Sequence, residues 1–175
     1  MKRLVISLSL ALAVSMVSAG WCKDPAPQAK QLDKANVLPL ALDDHFEFRK
    51  TKLFLNDPKT FTPTEDPMII FERDRINFGA VTGVDRAARM GNYFTFFWRC
   101  SVKADVTIRL EYRQENLGAY VQAREISYTG AKGSMQTDFK IIGDDYRQDG
   151  RVTAWRALII ENGKIVGLTA SNLWD

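Results

Sequence analysis

Apolar and polar residues alternate with a period of two over much of the chain beyond residue 45. From Asn92 to Lys103 one parity holds Phe94, Phe96, Trp98, Cys100 and Val102, and the other holds Tyr93, Thr95, Phe97, Arg99, Ser101 and Lys103. Successive side chains of a strand point to opposite faces, so this pattern predicts a strand with one face on a core. Val106, Ile108, Leu110 and Tyr112 alternate with Thr107, Arg109, Glu111 and Arg113 in the same way. Ala104-Asp105 leaves little room between the two runs, which predicts either a tight turn or a corner where the chain crosses between sheets. Upstream, Phe46, Phe48, Leu53 and Leu55 suggest a strand or irregular hairpin, ended by Asn56-Asp57-Pro58 and Thr62-Pro63-Thr64. Met68 to Phe71 is a short apolar run, Arg75 to Val81 reads as a further strand, and residues 82–91 read as a loop or one helical turn. Ala119 to Tyr128 is strand-like but irregular, which predicts a bulge or an edge position. Gly130 to Gly133 reads as a turn, and Met135 to Ile141 alternates again.

The strongest local signal is near the end. Val152 to Glu161 and Lys164 to Leu173 are β-rich runs joined by Asn162-Gly163, the pair favoured in a type I′ hairpin turn because both residues accept positive φ. A plain two-residue turn predicts Glu161 opposite Lys164, Ile159 opposite Val166, Ala157 opposite Leu168 and Trp155 opposite Ala170. That uncharged face is assigned to the main core. The other face carries Val152, Ala154, Arg156, Leu158, Ile160, Ile165 and Leu173, too apolar for a sheet face in water. It predicts a cover, either residues 46–71 of the same chain or a partner.

Six or more strands with short turns and no long helix predict an all-β fold, an antiparallel β-sandwich. The order Phe139-x-Ile141, a turn, Val152-x-Ala154 and a closing hairpin resembles the later half of immunoglobulin and fibronectin type III-like domains. The chain departs from that pattern in lacking Tyr-x-Val at the penultimate strand, since Tyr146 lies in the preceding turn. A jelly-roll arrangement stays open. The resemblance implies a fold and carries over no functional residue.

The N-terminus has the form of a secretory signal, which changes the compartment and the charge. Lys2 and Arg3 precede the apolar stretch Leu4 to Val17, and Val17-Ser18-Ala19 supplies small residues for cleavage after Ala19. The stretch is short for a retained membrane span, which needs about 20 apolar residues. Residues 1–19 are thus read as a signal peptide, 20–44 as a linker-like extension with a short helical turn around Gln28 to Asn36, and 45–175 as one domain. Losing Lys2 and Arg3 lowers the formal net charge from +3 to about +1. With no basic run, such a balance gives little pull toward phosphate, and nucleic acid is not expected. The expected location is periplasmic or extracellular. Lipid attachment at Cys22 is disfavoured by Trp21 before it. A Cys22–Cys100 disulfide and a buried free Cys100 are both open.

Candidate chemistry is sparse. His45, the one histidine, rules out a multi-histidine zinc site and would have to serve as base in any triad, yet no nucleophile motif accompanies it. Glu111, Glu115, Glu125, Asp144, Asp145 and Asp149 are the carboxylates open to acid–base work. Asp144, Asp145 and Asp149 form the one loop of calcium-like composition, which ordinary turn chemistry also explains. Arginines beside aromatics, namely Tyr93, Phe97, Arg99, Arg109 and Arg124, are the candidate binding face for a glycan or anionic ligand. The same residues also fit a structural cross-strand ladder. The expectation is an exported, non-catalytic module without cofactor that binds a protein partner or supports the cell envelope. A carbohydrate- or anion-binding accessory module comes second and a carboxylate-dependent hydrolase third.

Overall fold

A computed structural model describes residues 27–174. The expected signal peptide and both readings of Cys22 lie outside the described residues. Strands take 52% of the structure and helix 20%; the expected all-β fold is therefore corrected to a mostly-β one. The order is β1 (Lys30–Leu32), β2 (Phe46–Asn56), α1 (Pro67–Asn77), α2 (Gly83–Ala88), β3 (Gly91–Gln114), β4 (Gln122–Ile142), α3 (Asp144–Asp149), β5 (Val152–Glu161) and β6 (Lys164–Ala170). These strands form one antiparallel six-stranded sheet, ordered β1-β4-β3-β5-β6, with β2 also paired to β3.

β3 is long enough to serve two neighbours along one edge. Residues 91–100 pair with β2 and residues 106–114 with β5, while β4 follows the other edge. Between the two halves the register slips. Cys100 opposes Gly133, Ala104 opposes Ala131 and Val106 opposes Tyr128. Unequal residue numbers between these pairs bulge both strands and bend them. Ala104-Asp105 is thus a corner, and Gly130 to Gly133 is a bend inside β4 rather than a turn. Of the bulge or edge position expected between Ala119 and Tyr128, the bulge falls here instead, because residues 122–128 pair regularly with β3; on the outer edge of β4, β1 pairs with residues 123–125 alone.

The bend brings aromatic side chains of the two halves together. Trp155, opposite Tyr112 in the second half, lies 6.1 Å from the Phe94 ring and 5.5 Å from the Phe96 ring of the first. Such spacings are those of favourable aromatic pairs. Phe94, Phe96 and Trp98 share one buried cluster with Ile108, Leu110, Ala157 and Ile159.

The Asn162-Gly163 turn forms with positive φ at both residues, and Glu161 faces Lys164. Beyond it the expected register fails, because a bulge sets Ile159 opposite Gly167 and Leu158 opposite Leu168. The cover on the apolar outer face also differs from expectation. Residues 36–43 of the extension supply it, not residues 46–71. Ala41 and Asp43 N–H groups donate to the Ile165 and Val166 carbonyls at 2.9 and 3.0 Å, and Leu38 packs on buried Leu158, Ile160 and Ile165. The helical turn expected over Gln28 to Asn36 is replaced by strand β1. The strand expected over Arg75 to Val81 is the end of α1 and a loop. Among the described residues, no helix is long and apolar enough to cross a membrane.

A groove between helix and sheet

The outer face of the first half-sheet is laid down in rows by the strand register. Phe54, Tyr93 and Lys140 stand side by side on β2, β3 and β4; then come Lys52, Thr95 and Asp138; then Lys50, Phe97 and Gln136. Above this face lies α1, and between them runs a groove of about 800 Å³ lined by Met68, Ile69, Glu72, Arg75 and Ile76 from the helix. Its size falls within the range of small-molecule sites.

The helix starts where it does for local reasons. The Asp66 side chain accepts from the Met68 N–H at 2.8 Å, and Pro67 occupies the first helical position, where no donor is lost. Its far end is tied down by a reciprocal amide pair between Asn77 and buried Asn56, at 3.1 and 3.2 Å. Asn56 also donates to the Arg89 carbonyl at 2.9 Å, and the Arg89 guanidinium donates to the Ile76 and Phe78 carbonyls. Yet no residue of α1 is buried. Met68 is 61% exposed, Phe71 59%, and Ile69 and Ile70 40% each. The helix is pinned at its end and rests on the sheet through few apolar contacts.

Charge in the groove is unevenly satisfied. Glu72 accepts from Arg75 at 2.7 Å and lies 3.8 Å from the Lys52 ammonium. Asp138 accepts from the Thr95 hydroxyl at 2.6 Å and from Gln136 at 2.9 Å. Lys140 has no carboxylate within ion-pair distance among the described residues. Tyr93 donates to the Arg89 carbonyl at 2.8 Å. Burial raises its pKa, and the Arg89 and Arg75 charges partly oppose that rise.

The five residues expected to form one binding face do not converge. Tyr93 and Phe97 line the groove. Arg99 is exposed on the same strand beyond it. Arg109 lies on the outer face of the other half-sheet, 6% exposed, bonded to Glu125 at 2.6 Å and to the Asn36 carbonyl at 2.9 Å. Glu111, 3% exposed, stands 3.5 Å from Arg109 and takes both Arg156 donors at 2.7 and 2.6 Å. Arg124 bonds Tyr112, Gln31, the Lys140 carbonyl and Asp145. Trp174 stacks under Arg113 and Arg156.

The acidic segment expected as a loop is helix α3, and its carboxylates are taken by neighbours. Asp145 pairs with Arg124 and Asp144 with Arg147, and Asp149 accepts from Gln122 at 3.4 Å. No group of three or more His, Cys, Asp or Glu positioned for a metal occurs among the described residues. His45 pairs with Asp43 on the surface at 2.7 Å, away from the groove. Buried Cys100 donates to the Val102 carbonyl.

Sequence reasoning missed the helical wall and the cations Lys52, Arg75, Arg89 and Lys140. Asp66-Pro67 ahead of the apolar run is a helix-start signature that could have found α1. Thr82 and Asp85, which form a capping box on α2, are a second such signal. Comparison with protein-family models, with characterised proteins and with solved structures gives no match.

Proposed function

We propose that this chain is an exported, non-catalytic binding module of the cell envelope and that the groove beneath α1 is its binding site. One observation carries the reading: two outward aromatics, Tyr93 and Phe97, floor a cavity whose helical wall leaves Met68 61% and Ile69 40% exposed. Solvent-exposed apolar surface of this extent beside a concave site is a mark of binding. The pairing of Glu111, Glu125, Asp144 and Asp145 with arginines supports the non-catalytic side of the proposal. We also read the folded-over sheet as a two-layer sandwich, supported by the contacts of Trp155 with Phe94 and Phe96. Export rests on the charged, apolar and small-residue order of residues 1–19.

A photo-crosslinking residue placed at Ile69 in the native host tests the groove, with Leu168 as control. Leu168 is 47% exposed and does not line the groove. Adducts of defined mass at Ile69 and none at Leu168 are expected. Equal labelling at both positions, or none at either, defeats the proposal.

A further inference from the structure

This inference rests on the groove being a binding site and names what it holds. The geometry points to a single-chain anionic amphiphile, an acyl chain ending in a carboxylate, lying along the groove with its head beside Tyr93 and its chain toward Phe97.

Polarity along the groove is the first argument. α1 is anchored to β2 at two points, Glu72 near Lys52 and Asn77 on Asn56. Both rise in sequence together, so helix and strand run the same way. Ile76 and Arg75 therefore lie toward the Tyr93 row, and Met68 and Ile69 toward the Phe97 row. The Tyr93 end thus carries Arg75, Arg89 and Lys140, while the Phe97 end carries Met68 and Ile69, with Gln136 in its lining and Lys50 beside Phe97 in the register.

Charge is the second. The lining contains four cations, Lys52, Arg75, Arg89 and Lys140, against two carboxylates, Glu72 and Asp138. Glu72 is paired with Arg75, whereas Asp138 accepts from a hydroxyl and an amide, which satisfy its hydrogen bonds and leave its charge in the balance. Arg89 is bound to carbonyl dipoles, which satisfy its hydrogen bonds without cancelling its charge. Lys140, next to Tyr93 in the register, has no carboxylate partner among the described residues. Four cations against two carboxylates leave two net positive charges, and Arg89 and Lys140 both neighbour Tyr93, which suits one carboxylate head at that end of the groove. A neutral sugar would leave them unanswered, and a purely ionic ligand would leave Met68 and Ile69 in water.

Titration calorimetry of the whole exported protein with dodecanoate, below its micelle concentration, tests this. Saturable one-to-one binding is expected. Lys140→Glu should weaken it by about tenfold or more, the order expected for reversing one partly exposed charge. Met68→Ser with Ile69→Ser should weaken it by about tenfold, since both leave apolar surface uncovered in the complex. Lys164→Glu, outside the groove, should leave it unchanged. Uncharged dodecanol should bind at least about tenfold more weakly, as it lacks the head group the cations meet. All four side chains are exposed or unburied, and far-ultraviolet circular dichroism checks that each variant folds. The inference is overturned by absent saturable binding, by dodecanol binding as tightly, or by an unaltered Lys140→Glu affinity. If dodecanoate fails while the Ile69 crosslink still forms a defined adduct, the ligand class falls and the groove stands. If both fail, the groove falls too.

Discussion

One sheet presents two outer faces, and the chain treats them in opposite ways. On the second half-sheet, residues 36–43 lie against β6, Leu38 closes over Leu158, Ile160 and Ile165, and a four-membered ion network runs beneath. Arg109 at its centre donates to the strap's Asn36 carbonyl. On the first half-sheet α1 lies over the face with none of its residues buried, held at one end by Asn77. The first arrangement spends its polar groups on closing a surface, and the second leaves a surface accessible. Where a side chain's hydrogen-bonding capacity is already met within the fold, it has little left for a ligand. That separates Arg109 from Lys140, two basic residues that look alike in the sequence.

The closed face should break most severely. Arg109→Ala takes from Glu125, whose side chain is 21% exposed, its one ion partner among the described residues and leaves a mostly buried charge uncompensated, which typically costs about 3–5 kcal/mol. Urea denaturation reads the loss, and a value under about 1 kcal/mol would show that the network does not hold this face. Next comes Leu158→Ala, at about 2–4 kcal/mol for a fully buried leucine. The amides of Ala41 and Asp43, which bond to β6, should then exchange faster, while Asn56 and Asn77 side-chain protection at the groove stays as it was. Equal loosening at both places would mean that the two faces are one cooperative unit.

The alternation of residues 92–113 was legible because a strand's period is local and one side was apolar throughout. The bend at residues 101–105 was legible only as one of two alternatives, since the choice of a corner over a tight turn depends on the two halves finding each other through Trp155, Phe94 and Phe96. The strap was not legible. It attaches mainly by backbone bonds, and Val37, Leu40 and Leu42 stay exposed, so no hydrophobic period marks it. Tyr93 and Phe97 were readable as outward aromatics of a strand. For Arg109 and Arg124 the choice between ligand face and structural ladder was not legible, because alternation tells which way a residue points and not what covers it. Met68 to Phe71 is too short for periodicity to choose between helix and strand, and Asp66-Pro67 was the deciding signal left unused.

Between the two faces α3 joins the ends of the half-sheets, and its Tyr146 gives a milder, pH-dependent test. The Tyr146 hydroxyl donates to Asp57, at the end of β2, at 2.9 Å; burial first, and then that carboxylate, push its pKa up to about 12. The unfolded value is near 10. Below about pH 10 the contribution of this group is complete, and it is lost as pH rises toward 12, because the unfolded chain ionises first. Tyr146→Phe should cost about 1 kcal/mol at neutral pH and flatten the stability profile between pH 10 and 12. Burial also raises Tyr93, Tyr112 and Tyr128, so a shallower slope should remain. A variant profile parallel to the parent's would remove Tyr146 from the account.

The smallest effect is expected on the open face, and its smallness is the point. Ile69→Ser takes a 40% exposed side chain off a helix with no fully buried residue, so only part of an isoleucine's transfer free energy is lost. Serine is also a tolerable helix residue. A change of about 1 kcal/mol or less follows, a fraction of what full burial of an isoleucine contributes. The same substitution on the closed face, at Ile160, should cost several times more, because a hydroxyl would enter a site already covered by Leu38. If Ile69→Ser and Ile160→Ser cost the same, α1 is a closed cover like the strap. The groove would then be an interior void of the fold, with no claim on an outside ligand.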